Sequence, residues 1–123
     1  MFSSGKVLYS DDDLNTVASD ARAIGSRSGE DNQPVCLVYV KDGDDILALV
    51  DYCRQKELPL VPRGSGTGLC GGSVPVEGGV VLLTGQSRRI LEIDREAEEV
   101  TVESGITLAD LEAELNLVGY TLG

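Results

Sequence analysis

The chain has 123 residues, with 10 Lys and Arg against 21 Asp and Glu, a formal net charge of -11 and no histidine. A single domain of that length buries roughly two thirds of its unfolded surface, which sets it apart from disordered and fibrous chains. The acidic balance argues against nucleic acid and anionic membrane partners, which are bound through clustered Lys and Arg. The missing histidine removes the Ser-His-Asp triad, the histidine-ligated zinc site and the histidine general base for this segment.

The N-terminus lacks the continuous apolar core of a signal peptide, and no apolar run approaches a membrane span, so a soluble cytoplasmic protein is expected. Ser10-Asp-Asp-Asp13 has capping spacing ahead of Leu14, Val17, Ala18 and Ala21, which predicts a helix over 11–23. The polar, breaker-rich stretch 25–34 is expected to be a surface loop within one domain. Val35 to Val40 is a continuous apolar run, as in a strand covered on both faces. Asp42 or Asp44 then caps a helix whose buried side carries Ile46, Leu47, Leu49, Val50 and Cys53. The next predicted strand is Leu58 to Val61. Strand, helix, strand of this length is a βαβ crossover, so the two strands run parallel. The segment after Val61 then leaves the carboxyl end of the second strand, where ligands gather in open α/β sheets.

Beyond that segment, 79–83, 90–93 and 100–103 are predicted short strands, with 94–99 as a hairpin-like connection. Thr107 to Asp110 caps a last helix bearing Leu108, Leu111, Leu115 and Val118, with Gly119 as its stop. The expected fold class is α/β passing into α+β: a small βαβ unit of parallel strands, then short strands and a helix. Cys36, Cys53 and Cys70 are an odd number without metal spacing, which fits a reducing compartment and no metal site.

Val61-Pro-Arg-Gly-Ser-Gly-Thr-Gly-Leu-Cys-Gly-Gly72 holds five glycines directly after the apolar run. The run fits either a tight reversal between strands or a backbone cradle for phosphate. Its density favours the cradle, because glycine lets successive amides reach an anion that side chains would hold away. Gly66-x-Gly68-x-x-Gly71 has dinucleotide spacing, yet Pro75, Gly78 and Gly79 stand where a Rossmann helix would begin. No Gly-Lys-Ser/Thr closes the loop as in a Walker A motif, so loop amides are expected to hold the anion. A phosphate-binding module unrelated to flavin remains a possible reading of the loop alone.

Pro62-Arg-Gly-Ser-Gly-Thr-Gly68, Gly71-Gly72, Glu77-Gly-Gly-Val-Val81, Ile90-Leu-Glu-Ile-Asp94, Val100-Thr-Val-Glu103 and Gly105-Ile-Thr-Leu108 occur in that order. Together they resemble the first part of the PCMH-type FAD-binding domain of the vanillyl-alcohol oxidase superfamily, in particular its D-lactate dehydrogenase and glycolate oxidase GlcD-type branch. The resemblance implies noncovalent FAD, with Pro62, Arg63, Gly64, Ser65, Gly66, Thr67 and Gly68 around its pyrophosphate. It also implies Gly71 and Gly72 close to the flavin side, and Ser104, Gly105 and Ile106 as a second loop approaching the cofactor. Ser65 stands where relatives often carry glycine, and Leu69-Cys70 stands where some relatives carry a flavin-linking histidine.

The resemblance further implies that the flavin domain continues past Gly123 and that a substrate-binding cap follows. The expectation is therefore one truncated domain over 1–123, with a first subdomain over about 1–78 and the start of a second over about 79–123. No catalytic residue is assigned. Full-length relatives oxidise 2-hydroxy acids, so this chain is expected to be the FAD-binding portion of such an oxidoreductase. The alternative is a non-catalytic α/β domain that self-associates or is complemented by another chain.

Overall fold

The structure, a computed structural model, describes residues 6–8, 34–75 and 78–123. The helix predicted over 11–23 and most of the 25–34 loop lie outside them. Among the described residues a four-stranded sheet comprises β1 (Lys6–Leu8), β2 (Cys36–Tyr39), β3 (Leu60–Arg63) and β4 (Val80–Leu83), in the order β1-β2-β4-β3. β1 is antiparallel to β2, whereas β2 and β3 both run parallel to β4. The predicted parallel relation of the two crossover strands holds, with β4 inserted between them. Because β4 has neighbours on both edges, its four residues are all buried.

The side-chain period of two divides the core. Val38, Val40, Val80 and Leu82 pack with Leu49 and Cys53 of helix α1 (Gly43–Lys56), while Leu37, Val81 and Leu83 form a second cluster beside Tyr39. Asp42 is the helix cap: its carboxylate accepts from the Asp45 amide at 3.0 Å, and the buried Asp45 carboxylate accepts from the Lys41 amide at 3.2 Å. Ile46 lies against the core, but Leu47 and Val50 are exposed, contrary to expectation. Five apolar positions within eight residues span more of a helix than one face can bury. The helix ends in a Schellman arrangement, with Leu58 N–H to the Cys53 carbonyl at 2.9 Å and Glu57 N–H to that of Arg54 at 3.3 Å. Glu57 takes the left-handed position, φ 54°.

The second sheet is the antiparallel hairpin of β5 (Ile90–Asp94) and β6 (Glu99–Val102). Its turn is set by Asp94, whose carboxylate accepts from the amides of Glu96 and Ala97 at 2.9 and 3.0 Å. The strand at 80–83 belongs to the first sheet, so the change of sheet falls after Leu83. Helix α2 (Leu108–Leu117) is capped by Thr107, whose hydroxyl accepts from Asp110 N–H at 3.1 Å. It stops at Gly119, φ 86°, through Tyr120 N–H to the Leu115 carbonyl and Gly119 N–H to that of Asn116. Leu111 and Leu115 are buried as expected, whereas Leu108, in the first turn, and Val118, at the cap, are exposed.

Candidate functional site

β3 runs two residues further than predicted, so Pro62 and Arg63 are strand residues in register with Leu82 and Leu83. Pro62 is tolerated because β3 is the sheet edge among the described residues, with one neighbour there to satisfy. The glycine loop begins at Gly64, at the carboxyl end of a parallel strand.

The glycines divide by what they do for the chain itself. Gly66 and Gly71 have φ of 72° and 78°, a conformation that side chains disfavour. A Cβ on Gly66 would also lie 2.3 Å from an Arg63 guanidinium nitrogen. Arg63 reaches under the loop and donates to the Ser73 carbonyl at 3.2 Å, tying the start of the loop to its end. Gly64, Gly68 and Gly72 are different: they lie outside the left-handed region, and a Cβ on any of them would meet no atom of the described residues within 4 Å. Neither backbone conformation nor packing demands glycine there. Open space kept free of side chains is what close approach by a phosphate requires.

The second loop meets the first through the turn after β4. Thr84 N–H donates to the Arg63 carbonyl at 3.2 Å, Ser87 N–H to that of Thr84 at 2.8 Å, and Gly105 N–H to that of Ser87 at 2.8 Å. Gly105 is required by this joint, since a Cβ would fall 1.8 Å from the Thr84 carbonyl oxygen. Arg89 and Glu103 lock it further: the Arg89 amide and guanidinium both donate to the Glu103 carboxylate, the ion pair closing to 2.6 Å. These bonds hold the Glu103 carboxyl below the usual carboxylate range.

Between the loops lies a cleft of about 570 Å³. Gly64, Ser65 and Thr67 line one side, Ser104, Gly105 and Ile106 the other, and the N-terminus of α2 borders it at Thr107 and Leu108. The Ser65 and Thr67 hydroxyls lie 3.4 Å apart on the exposed loop surface. A second opening, of about 430 Å³, follows the other side of the loop past Gly68, Gly72 and Cys70. It also touches Ser73, whose buried hydroxyl has no hydrogen-bond partner among the described residues. Buried polar groups seldom go unsatisfied, so this hydroxyl has a hydrogen bond left to make. Side-chain-free backbone, paired hydroxyls, an orphaned donor and the positive end of a helix all suit a dinucleotide diphosphate.

Of the expected site residues, the structure brings Gly64, Ser65, Thr67, Ser104, Gly105 and Ile106 onto one cleft, and Gly68 and Gly72 onto the other opening. Gly66 borders the second opening alone, and Pro62, Arg63 and Gly71 line neither. Sequence reasoning missed Ser73 and the turn from Thr84 to Arg88. Thr84-Gly85 directly after a fully apolar strand was the available signal. Cys36 and Cys53 have thiols pushed up by burial, Cys36 further by its neighbour Cys53, while Cys70 is exposed at the second opening.

The chain is 41% identical over 80 residues to glycolate oxidase subunit GlcD of Bacillus subtilis, covering 65% of this chain and 17% of that protein. It is 32% identical over 106 residues to D-lactate dehydrogenase of Anaerostipes hadrus, covering 86% of this chain and 22% of that protein. It thus spans about a fifth of the length of these curated relatives. The crystal structure of p-cresol methylhydroxylase has the same fold over 91% of this chain and 22% of its own, with a TM-score of 0.75 at 21% identity. Residues 34–123, which carry both loops and the joint between them, match the family described as FAD binding domain, and the chain belongs to that family.

Proposed function

We propose that this chain holds the diphosphate of noncovalent FAD in an oxidoreductase acting on 2-hydroxy acids of the lactate and glycolate type. Bound FAD supplies hydride-accepting chemistry. The chain's own part is to bind and orient it: amides of Gly64 to Gly68, with the Ser65 and Thr67 hydroxyls, face the diphosphate, and Ser104 to Ile106 close from the other side. Pro62 and Arg63 set the entry to the loop, and Gly71 and Gly72 border the flavin side. The substrate class rests on similarity to the GlcD and D-lactate dehydrogenase proteins. Among the described residues no helix is long and apolar enough to cross a membrane, and the reading places the protein in the cytoplasm.

The observation that carries this reading is the cleft between the two loops, walled on one side by glycine that the chain itself does not need. Titrating this polypeptide with FAD while following flavin fluorescence tests it. Saturable binding is expected, and a folded sample that leaves the fluorescence unchanged refutes it. A second reading, association with another copy of this chain, is favoured by Leu91, Leu108 and Leu117, which are 57%, 75% and 80% exposed. Sedimentation that returned a monomer over a wide concentration range would remove it.

A further inference from the structure

Among the described residues, Arg88 carries the sole charge in the lining of the cleft between the glycine loop and the 104–106 loop. The turn that presents it is fixed at both ends by the hydrogen bonds of Thr84, Ser87 and Gly105, and Arg88 Nε itself donates to the Gly85 carbonyl. That bond anchors the head while leaving its terminal N–H groups without a partner among the described residues. Arg88 has no ion pair there either. The adjacent Arg89 is taken by Glu103, and Asp110 and Glu114, which share a neighbouring surface depression with Arg88, lie beyond ion-pair distance. Arg63 is the more conspicuous cation in the motif, yet it lines neither opening and its guanidinium is tied to the Ser73 carbonyl.

We propose that Arg88 is the counter-charge for the diphosphate of the bound dinucleotide, gripping it from the side opposite the glycine loop, while Arg63 serves as an internal brace. This rests on the FAD reading above. In a chain of net charge -11 a dianionic ligand meets general repulsion, so one fixed guanidinium in the cleft has a disproportionate part in holding it. The planar fork also matches phosphate oxygens two at a time, which an ammonium does not.

The test compares wild type, Arg88→Gln, Arg88→Lys and Arg54→Gln, the last removing the same charge from an exposed site on α1. Dissociation constants for FAD and for riboflavin, which lacks phosphate, are read by flavin fluorescence at about 0.01 M and about 1 M salt. Arg88→Gln is expected to weaken FAD about tenfold at low salt and to flatten its salt dependence, with riboflavin unaffected. Arg88→Lys should fall between, and Arg54→Gln should match wild type. Arg88→Gln binding FAD as tightly as wild type overturns the role of Arg88 and leaves the FAD reading standing. Equal weakening of FAD and riboflavin also overturns it, because a loss independent of phosphate means a structural role. A folded wild type that binds no FAD overturns both.

Discussion

Replacing Gly64 or Gly68 with alanine should make the empty protein more stable and the flavin complex weaker, two changes that ordinarily go together. Each added Cβ meets nothing within 4 Å and neither backbone is left-handed, so the folded chain accommodates alanine without displacement. Alanine narrows the unfolded ensemble, and a compatible glycine-to-alanine change stabilises by about 0.4–1 kcal/mol. For a chain of this size that raises the melting temperature by roughly 1–5 °C. In the complex the same methyl stands between backbone amide and phosphate. Losing one hydrogen bond to a charged group costs about 1.5–3 kcal/mol, or roughly 10- to 150-fold in Kd. Circular dichroism melts without ligand and fluorescence titrations with FAD measure the two arms. A raised melting point with unchanged FAD affinity would refute the claim that these glycines face the ligand. A lowered melting point would refute the claim that the chain has room for a side chain. Gly66 cannot serve for this purpose, because its positive φ and the guanidinium beneath it make any substitution destabilising on its own account.

Gly105→Ala should show the opposite pattern, destabilising the empty protein by about 2–4 kcal/mol in urea unfolding, since its Cβ would overlap the Thr84 carbonyl oxygen and force the joint apart. Glu57→Gly should raise stability by about 0.5–1 kcal/mol, because a glutamate at φ 54° closes α1 where glycine adopts that angle freely; an unchanged melting point would say the strain is relieved elsewhere. Glu103 has a carboxyl pKa lowered in the folded state, first by the Arg89 side chain and then by its amide. Its contribution is therefore fully present above the unfolded value of about 4.3 and is lost as pH falls through the lower folded value. Melting curves of wild type should lose stability more steeply below about pH 4.5 than those of Glu103→Gln, and parallel pH profiles would contradict the lock.

Much of this architecture is legible locally, and what is not has a physical reason. Thr107 three residues before Asp110, and Gly119 after the last leucine, announce α2 because caps act within one turn. The glycine loop stands out because its composition costs chain entropy wherever it occurs. The order of β2, β4 and β3 has no such local sign. Val80-Val-Leu-Leu83 is apolar at every position, which is consistent with a strand between two others, but the same run fits any doubly covered strand. The exposure of Leu47, Val50 and Leu108 was missed for a related reason: helical spacing gives the direction of a side chain and not whether another element lies in that direction. Arg63 and Arg88 could not be distinguished by sequence, since their roles depend on the Ser73 carbonyl and the 84–88 turn, 10 residues from Arg63 in one case and on another strand's exit in the other.

The cleft exists only because the two sheets are joined. Its first wall leaves β3, its second leaves β6, and the connection between them consists of backbone bonds through Thr84, Ser87 and Gly105 together with the Arg89–Glu103 pair. None of those groups belongs to the glycine loop, yet they set the separation across which a diphosphate would be held. A ligand touching both walls stabilises the joint by mass action, and a firmer joint presents the walls at a fixed spacing, so binding and docking of the hairpin are linked in both directions. This linkage gives the chain's few special residues a common logic. Gly105 and Glu103 hold the spacing, Gly66 and Arg63 shape the glycine loop, and Gly64 leaves its cleft wall bare while Gly68 keeps the second opening clear.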